Sequence, residues 1–366
     1  MIRVVLSGTI GIMLVLLVAC SPAPTTIPQA TETLPNPVPY LPSESGPYYV
    51  GTRILSLHDA NRGGRYVGIT VWYPAGKPAD STGRSPTSNA DPDISSAPYP
   101  LILSSTKVAN IFAPYLVSHG FVWASVNGID SYPLMNEQMI DQPLDILFTL
   151  DQVATNPPEG LEGMIAADQV GVIGYSFDGY NALALSGARI DPEYYLSQCP
   201  NPDATTAAIL TSLSAFDCAP ALAWDEFAAH AGEAITASDD RLWQPMTDER
   251  IRAVMPMAVE GWWLFGEKGL VAVDRPVLII VATEDELYPE NALIYEHLGT
   301  PDKALISFIG LSHMMVYDNS KVPLIAQFAV AFFGYHLQGH ADLAWYFSED
   351  FVAQQQDLAW GVYPGK

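Results

Sequence analysis

From about residue 48 the chain alternates between short apolar runs and longer stretches of helical periodicity. Apolar, β-rich runs fall at 50–57, 66–73, 99–104, 121–126, 170–174, 254–259, 277–282 and 304–309. Several have no polar break, Val277-Leu278-Ile279-Ile280-Val281 most clearly, which is how a strand buried on both faces of a parallel sheet reads. Helical patterns lie between them at about 110–118, 136–154, 177–188, 289–298 and 321–338. This alternation predicts an α/β fold with a doubly wound, mostly parallel sheet. The first two strands have no helix between them and predict an antiparallel edge hairpin. Residues 79–98 are polar without periodicity and read as a loop. Between about 190 and 250 the alternation breaks into short helical patterns around Trp224 and Trp243. That segment reads as a helical cap inserted over the carboxyl edge of the sheet, the edge at which open α/β sheets bind ligands. The domain is expected at 48–340, with 341–366 as a C-terminal extension.

The N-terminal stretch has a different pattern. Residues 1–19 carry one charge, Arg3, followed by an uncharged apolar run, which predicts an export signal. Leu17-Val18-Ala19-Cys20 resembles the bacterial lipobox, in which the cysteine becomes the lipidated first residue of the mature chain. Residues 20–47 are dense in Pro, Thr and Ser and predict an extended tether. An exported bacterial lipoprotein follows, membrane-anchored at Cys20 and either periplasmic or on the cell surface.

Composition narrows the partners. An apolar content of 49% with 11% aromatics excludes a disordered chain. Forty acids against 16 Lys and Arg give a net charge of −24, which repels phosphates and argues against a nucleic-acid partner. The other two cysteines, Cys199 and Cys218, lie 19 residues apart in a chain bound for a disulfide-permissive compartment; pairing is possible, and sequence leaves it open. No Cys or His cluster has metal-ligand spacing, so no metal or other cofactor is expected.

The chemistry concentrates around one serine. Residues 168–185 read as an apolar strand, a tight turn at Ser176 and an apolar helix. A nucleophile elbow needs that context, with the serine in a strained strand-to-helix turn. The motif Gly-x-Ser-x-Gly is incomplete: Gly174 and Ser176 are present, but Asp178 stands where the last glycine belongs and Gly179 follows it. A serine also needs a base, and histidine has an ordinary pKa near neutrality. Of seven histidines, His313 alone follows a core strand, in Gly310-Leu311-Ser312-His313 at the carboxyl edge. The orienting acid is sought after the preceding strand, where Glu284, Asp285 and Glu286 are consecutive. Asp285 is the candidate, from its spacing to the helix starting at Pro289, with Glu284 second. The order Ser176, Asp285, His313 is the chain order of α/β-hydrolase triads.

With these motifs the chain resembles the α/β-hydrolases, in particular the bacterial dienelactone-hydrolase-like group related to platelet-activating-factor acetylhydrolase. The resemblance covers roughly 48–338 and rests on Ile69-Thr70-Val71-Trp72-Tyr73-Pro74, on residues 118–126 and 142–151, and on the Ser176, acid and His loops. It implies a serine esterase acting on small or short-acyl esters. Dienelactone hydrolases proper use cysteine, which argues against their substrate here. The family usually has His-Gly after its third strand to complete the oxyanion hole; this chain has Ser104-Ser105-Thr106-Lys107. The expected donors are therefore the Phe177 N–H and one N–H between Ser105 and Lys107, with Thr106 and Lys107 named as candidates. Glu260-Gly261-Trp262-Trp263 follows the sixth core strand, and its indoles are candidates for the acyl-site wall, with core packing as the alternative. Asp178 and the altered loop keep open the reading of a catalytically silent ligand-binding lipoprotein on this fold. A third reading, a lipase or polyesterase acting on longer esters, turns on whether the site is an open groove rather than a narrow pocket.

Overall fold

The strands expected from apolar runs line up edge to edge in one sheet. A computed structural model describes residues 41–77, 85–128, 136–199 and 218–365, all within the unit Pro35–Lys366. Among them are β1 (Tyr49–Asp59), β2 (Arg65–Ala75), β3 (Thr87–Ser88), β4 (Tyr99–Ser105), β5 (Val122–Val126), β6 (Ile165–Tyr175), β7 (Ile251–Met257), β8 (Val277–Ala282), β9 (Lys303–Phe308) and β10 (Leu358–Trp360). Their order is β10-β9-β8-β7-β6-β4-β5-β2-β1-β3. The six strands from β4 to β9 are mutually parallel. The β1–β2 hairpin is antiparallel, and β2 joins β5 antiparallel as well.

Side chains alternate faces along a strand, and the core divides accordingly. In β8, Leu278 and Ile280 belong to one apolar cluster, whereas Ile279 and Val281 belong to another. Helix α1 (Thr106–Ser118) and the helix Val322–Gln338 pack on the first face through Phe112, Leu116, Phe328 and Phe333. Helix α2 (Gln138–Thr155), helix α3 (Phe177–Leu185) and the helices Trp262–Val271 and Tyr288–His297 cover the other. Both faces are buried, and the sheet is doubly wound. After β4 the chain crosses to β5 on one side, and after β5 it returns to β6 on the other. The winding direction therefore reverses between β4 and β6, and a crevice at the carboxyl ends opens at such a point.

Four expectations change. Helix α1 begins at Thr106, directly after β4, rather than near 110; the Ser105 hydroxyl caps it by accepting the Lys107 N–H (3.3 Å). The polar stretch 79–98 contains β3, which pairs with β1 at Gly51 and Thr52 and takes the edge position expected for the hairpin. The C-terminal stretch is no appendage: β10 pairs antiparallel with β9, Ser307 Oγ donates to the Gly361 carbonyl (3.0 Å), and the Tyr363 N–H reaches the Tyr288 hydroxyl (2.5 Å). At the other end, Gly46, inside the expected tether, donates to Ser118 Oγ (3.1 Å) at the C-terminus of α1.

The described parts of the expected cap, 190–199 and 218–250, include the helices Pro192–Gln198 and Trp224–Ala231. Trp224, Phe227 and Trp243 pack mutually and Tyr195 packs on Trp224, with ring centroids 5.3 to 5.6 Å apart. Arg189 holds the far end of the insertion by bonding both Asp240 carboxylate oxygens and the Leu242 and Trp243 carbonyls. His230 Nε2 lies 3.1 Å from Asp141 in the first turn of α2, which ties the cap to the carboxyl side of the sheet.

Candidate active site

β6 delivers Ser176 and α3 carries the chain away. Ser176 has φ +61° and ψ −128°, a conformation that costs a non-glycine residue on the order of 1–3 kcal/mol. Its N–H donates to the Met257 carbonyl (2.9 Å), so the turn is pinned to β7. Close packing at the elbow falls on two glycines. A Cβ on Gly174 would stand 2.0 Å from the Asp178 carbonyl oxygen, and one on Gly179 would stand 3.1 Å from the Met257 carbonyl oxygen. The glycine missing at 178 is therefore supplied one position later. Asp178 itself is buried. One carboxylate oxygen accepts the Ser105 N–H (3.3 Å) and the other accepts from Asn181 Nδ2 (3.1 Å). Burial pushes its carboxyl up to about 6, against the lowering effect of those bonds and of the Lys107 charge.

The carboxyl ends of β8 and β9 bring the other two residues to the serine. His313 Nε2 lies 3.0 Å from Ser176 Oγ, and His313 Nδ1 lies 2.9 Å from Asp285 Oδ2. A carboxylate only accepts, so Nδ1 carries the proton and Nε2 faces the serine hydroxyl as an acceptor. Burial separates the three consecutive acids: Asp285 is buried, whereas Glu284 and Glu286 are exposed. The other Asp285 oxygen accepts the Leu287 N–H (2.9 Å). The two loops are laced together, with the Gly310 N–H on Thr283 Oγ1 (2.8 Å) and the Glu284 N–H on the Leu311 carbonyl (2.8 Å). Tyr175, the last residue of β6, donates its hydroxyl to the His313 carbonyl (2.5 Å) and lays its ring against the imidazole at 5.0 Å. Burial holds the Tyr175 hydroxyl well above its ordinary pKa, so it remains a donor.

On the oxyanion side, β4 runs into α1 without an intervening loop. The Lys107 N–H is taken by Ser105 Oγ, and the Lys107 ammonium stands 5.2 Å from the centre of the Tyr175 ring. That engagement removes Lys107 as the backbone donor. Thr106 opens α1 and Phe177 opens α3, so both amides stand in the first turn of a helix. Of the named candidates, these two amides flank the Ser105–Asp178 contact.

The run after β7 holds a residue that sequence reasoning passed over. Ser176 Oγ lies 3.3 Å from Glu260 Oε1. The loop carrying Glu260 has Ala258 at φ +45° and Gly261 at φ +132°. It is held by the buried Asn291, whose side chain bonds both backbone groups of Val259, and by the buried Glu290, which accepts the Gly261 and Trp262 N–H groups. The available signal was the rule that selected Asp285: an acid directly after a core strand at the carboxyl edge. The indoles of the same run are buried in the cluster beneath the cap, Trp262 against His297 (5.0 Å) and Trp263 against Tyr195 (5.7 Å). Their contacts are those of core packing. Cys199 and Cys218 are joined in a disulfide with Cα atoms 5.3 Å apart. Cys20 lies outside the described residues, as do 200–217 of the cap. Among the described residues, no group of three or more His, Cys, Asp or Glu is placed to hold a metal ion.

Compared with models of known protein families and with curated proteins, the chain matches none.

Proposed function

We propose that the chain is a serine carboxylic-ester hydrolase on an α/β-hydrolase fold, similar to the dienelactone-hydrolase-like and platelet-activating-factor-acetylhydrolase-like enzymes. Its substrates are small or short-acyl esters, and a lipid at Cys20 holds it to a membrane. The observation that carries this reading is the relay of 2.9 Å from Asp285 to His313 and 3.0 Å from His313 to Ser176, on a serine at φ +61°. Strain of that kind is characteristic of the nucleophile elbow.

In this reading, Ser176 Oγ bonds to the ester carbonyl carbon as its proton passes to His313 Nε2. The carbonyl electron pair moves onto oxygen, where the Phe177 and Thr106 N–H groups donate to it. The oxyanion collapses and the bond to the alcohol oxygen breaks. His313 returns the proton to that leaving group. Water then attacks the acyl-enzyme, giving its proton to His313 as the new C–O bond forms. Collapse releases the acid and restores the Ser176 hydroxyl. Asp285, held by the Leu287 N–H, keeps the imidazole in the required tautomer and stabilises its charge.

Glu260 favours a second reading. The serine has one proton and two acceptors, His313 at 3.0 Å and Glu260 at 3.3 Å. A hydroxyl turned to Glu260 is not aimed at its base, which suits a silent ligand-binding protein. One experiment separates the two. The full chain in detergent is treated with a fluorophosphonate and the adduct mapped by mass spectrometry. A single adduct on Ser176, absent in Ser176→Ala and strongly reduced in His313→Ala, is the expected outcome. A folded chain without adduct would put the binding reading first.

A further inference from the structure

We propose that Asp178 is a positioning residue that fastens the backbone on the oxyanion side to the nucleophile elbow. The inference rests on the serine-hydrolase reading and deepens it. The Asp178 carboxylate spans two elements, since its Oδ2 accepts the N–H of Ser105, the last residue of β4 (3.3 Å). Each end of that hydrogen bond adjoins one oxyanion donor. Phe177 immediately precedes Asp178, and Thr106 immediately follows Ser105. Fixing Asp178 to Ser105 therefore fixes the spacing between the two amides that would share the oxyanion.

The rest of the surroundings fit this role. Gly174 and Gly179 already satisfy the close packing of the elbow, so the fold does not need the side chain at 178 for that purpose. A buried carboxylate is costly, and the Ser105 N–H is something it can accept and a glycine cannot. Its second oxygen is steadied by Asn181 Nδ2, which also donates to Gln142 Oε1 on α2 (2.9 Å). Ser105 faces Asp178 from β4, Asn181 from α3 and, through Asn181, Gln142 from α2; all three are neutral. The charged group acting on it is Lys107, in the first turn of α1. The carboxylate form is the stronger acceptor, so the tether weakens as Asp178 takes up a proton.

The test uses the full chain in detergent, a short p-nitrophenyl ester, and titration with the fluorophosphonate to count reactive serines. Asp178→Gly and Asp178→Ala remove the acceptor, and Asp178→Asn keeps a neutral one. The Gly and Ala variants are expected to lose about tenfold or more in kcat per titrated serine, with KM within about threefold, because the donors act in the transition state. The Ser105 amide should exchange with solvent faster in both, and Asp178→Asn should recover most of kcat. A purely structural role would lower the number of titratable serines and leave kcat per serine at its wild-type value; that result overturns the proposal. An unchanged Ser105 exchange rate does so too. If the Gly and Ala variants fail to fold, Asp178→Asn decides. Protection of the wild-type Ser105 amide, corrected for intrinsic exchange, should fall as pH is lowered through the titration of Asp178, and should be flat in the Asn variant. The same pH response in both overturns the tether. A wild-type chain that takes no label fails the hydrolase reading, and the proposal with it. A labelled wild type whose Gly variant turns over equally fast fails the proposal alone.

Discussion

Asp178 carries a pH signature that stability measurements read without reference to catalysis. Its carboxyl lies near 3.8 in an unfolded chain and is pushed up to about 6 by burial. Between those values the folded state holds a proton that the unfolded chain has released. The unfolding free energy therefore falls as pH rises through this window. The penalty is absent below the lower value and complete above the upper one, where it amounts to about 3 kcal/mol at about 1.36 kcal/mol per unit. Urea unfolding at pH 4 to 8 should show a decline in stability with this sign, and Asp178→Asn should flatten it by up to that amount. A decline of equal size in both proteins would place its origin elsewhere. Tyr175 supports a second residue-level prediction. Its hydroxyl anchors the His313 carbonyl at 2.5 Å. Tyr175→Phe should cost about 1 kcal/mol of stability and lower kcat more than KM, because the loop that orients the base loosens; unchanged kcat would mean that the lacing to Thr283 and Leu311 suffices. At this scale sequence was informative where a rule tied chemistry to position. Ser176 stands between a strand and a helix, and His313 follows a strand. Glu260 obeyed the same rule and was passed over for the bulkier indoles beside it. Asp285 was preferred to Glu284 from its spacing to Pro289; the burial that sets it apart from both neighbouring acids is not encoded in three consecutive acids.

Among the elements, the strands buried on both faces were the most legible, since β8 is apolar throughout and β9 beyond Lys303 is broken only by Ser307. The start of α1 was not legible. Ser105 and Thr106 are polar, and the apolar period that marks the helix begins only with Val108; the cap by Ser105 Oγ is a local contact that periodicity does not register. β10 is three residues long, too short for any period, and exists because β9 offers an unpaired edge. The cap is where sequence was vaguest and where one covalent constraint acts. The Cys199–Cys218 bond closes a loop across a separation of 19 residues. Loop-closure entropy for a ring of that size stabilises by about 3 kcal/mol. Cys199→Ser with Cys218→Ser should therefore lower the midpoint of cap unfolding and expose 191–250 to limited proteolysis before the sheet is cut. If the protease reaches the cap and the sheet together, cap and body unfold as one unit and the disulfide stabilises both.

At the scale of the whole molecule the proposed lipid anchor raises the question of what could hold the chain at a membrane. Among the described residues, no helix is long and apolar enough to cross one. The net charge of −24 opposes adhesion to anionic headgroups. Attachment would then fall to the N-terminal stretch, and a lipid on Cys20 is the reading that suits Leu17-Val18-Ala19-Cys20. Acyl chains contribute about 0.8 kcal/mol per buried CH₂, and one chain alone gives only marginal, reversible binding, so firm retention takes more than one. The prediction is specific to one atom. Expressed in a bacterium supplied with an alkyne-labelled fatty acid, the chain should acquire label and sediment with membranes, resist extraction by high salt and carbonate, and be released by detergent. Cys20→Ser should abolish labelling. Release of that variant into the soluble fraction would show that the lipid is the anchor. Its retention as a longer, unprocessed chain would show that residues 1–19 themselves hold it. Because the surface charge disfavours the bilayer, added salt should not release the wild-type protein. Release by salt would point instead to an electrostatic or protein-mediated attachment and would remove Cys20 from the account.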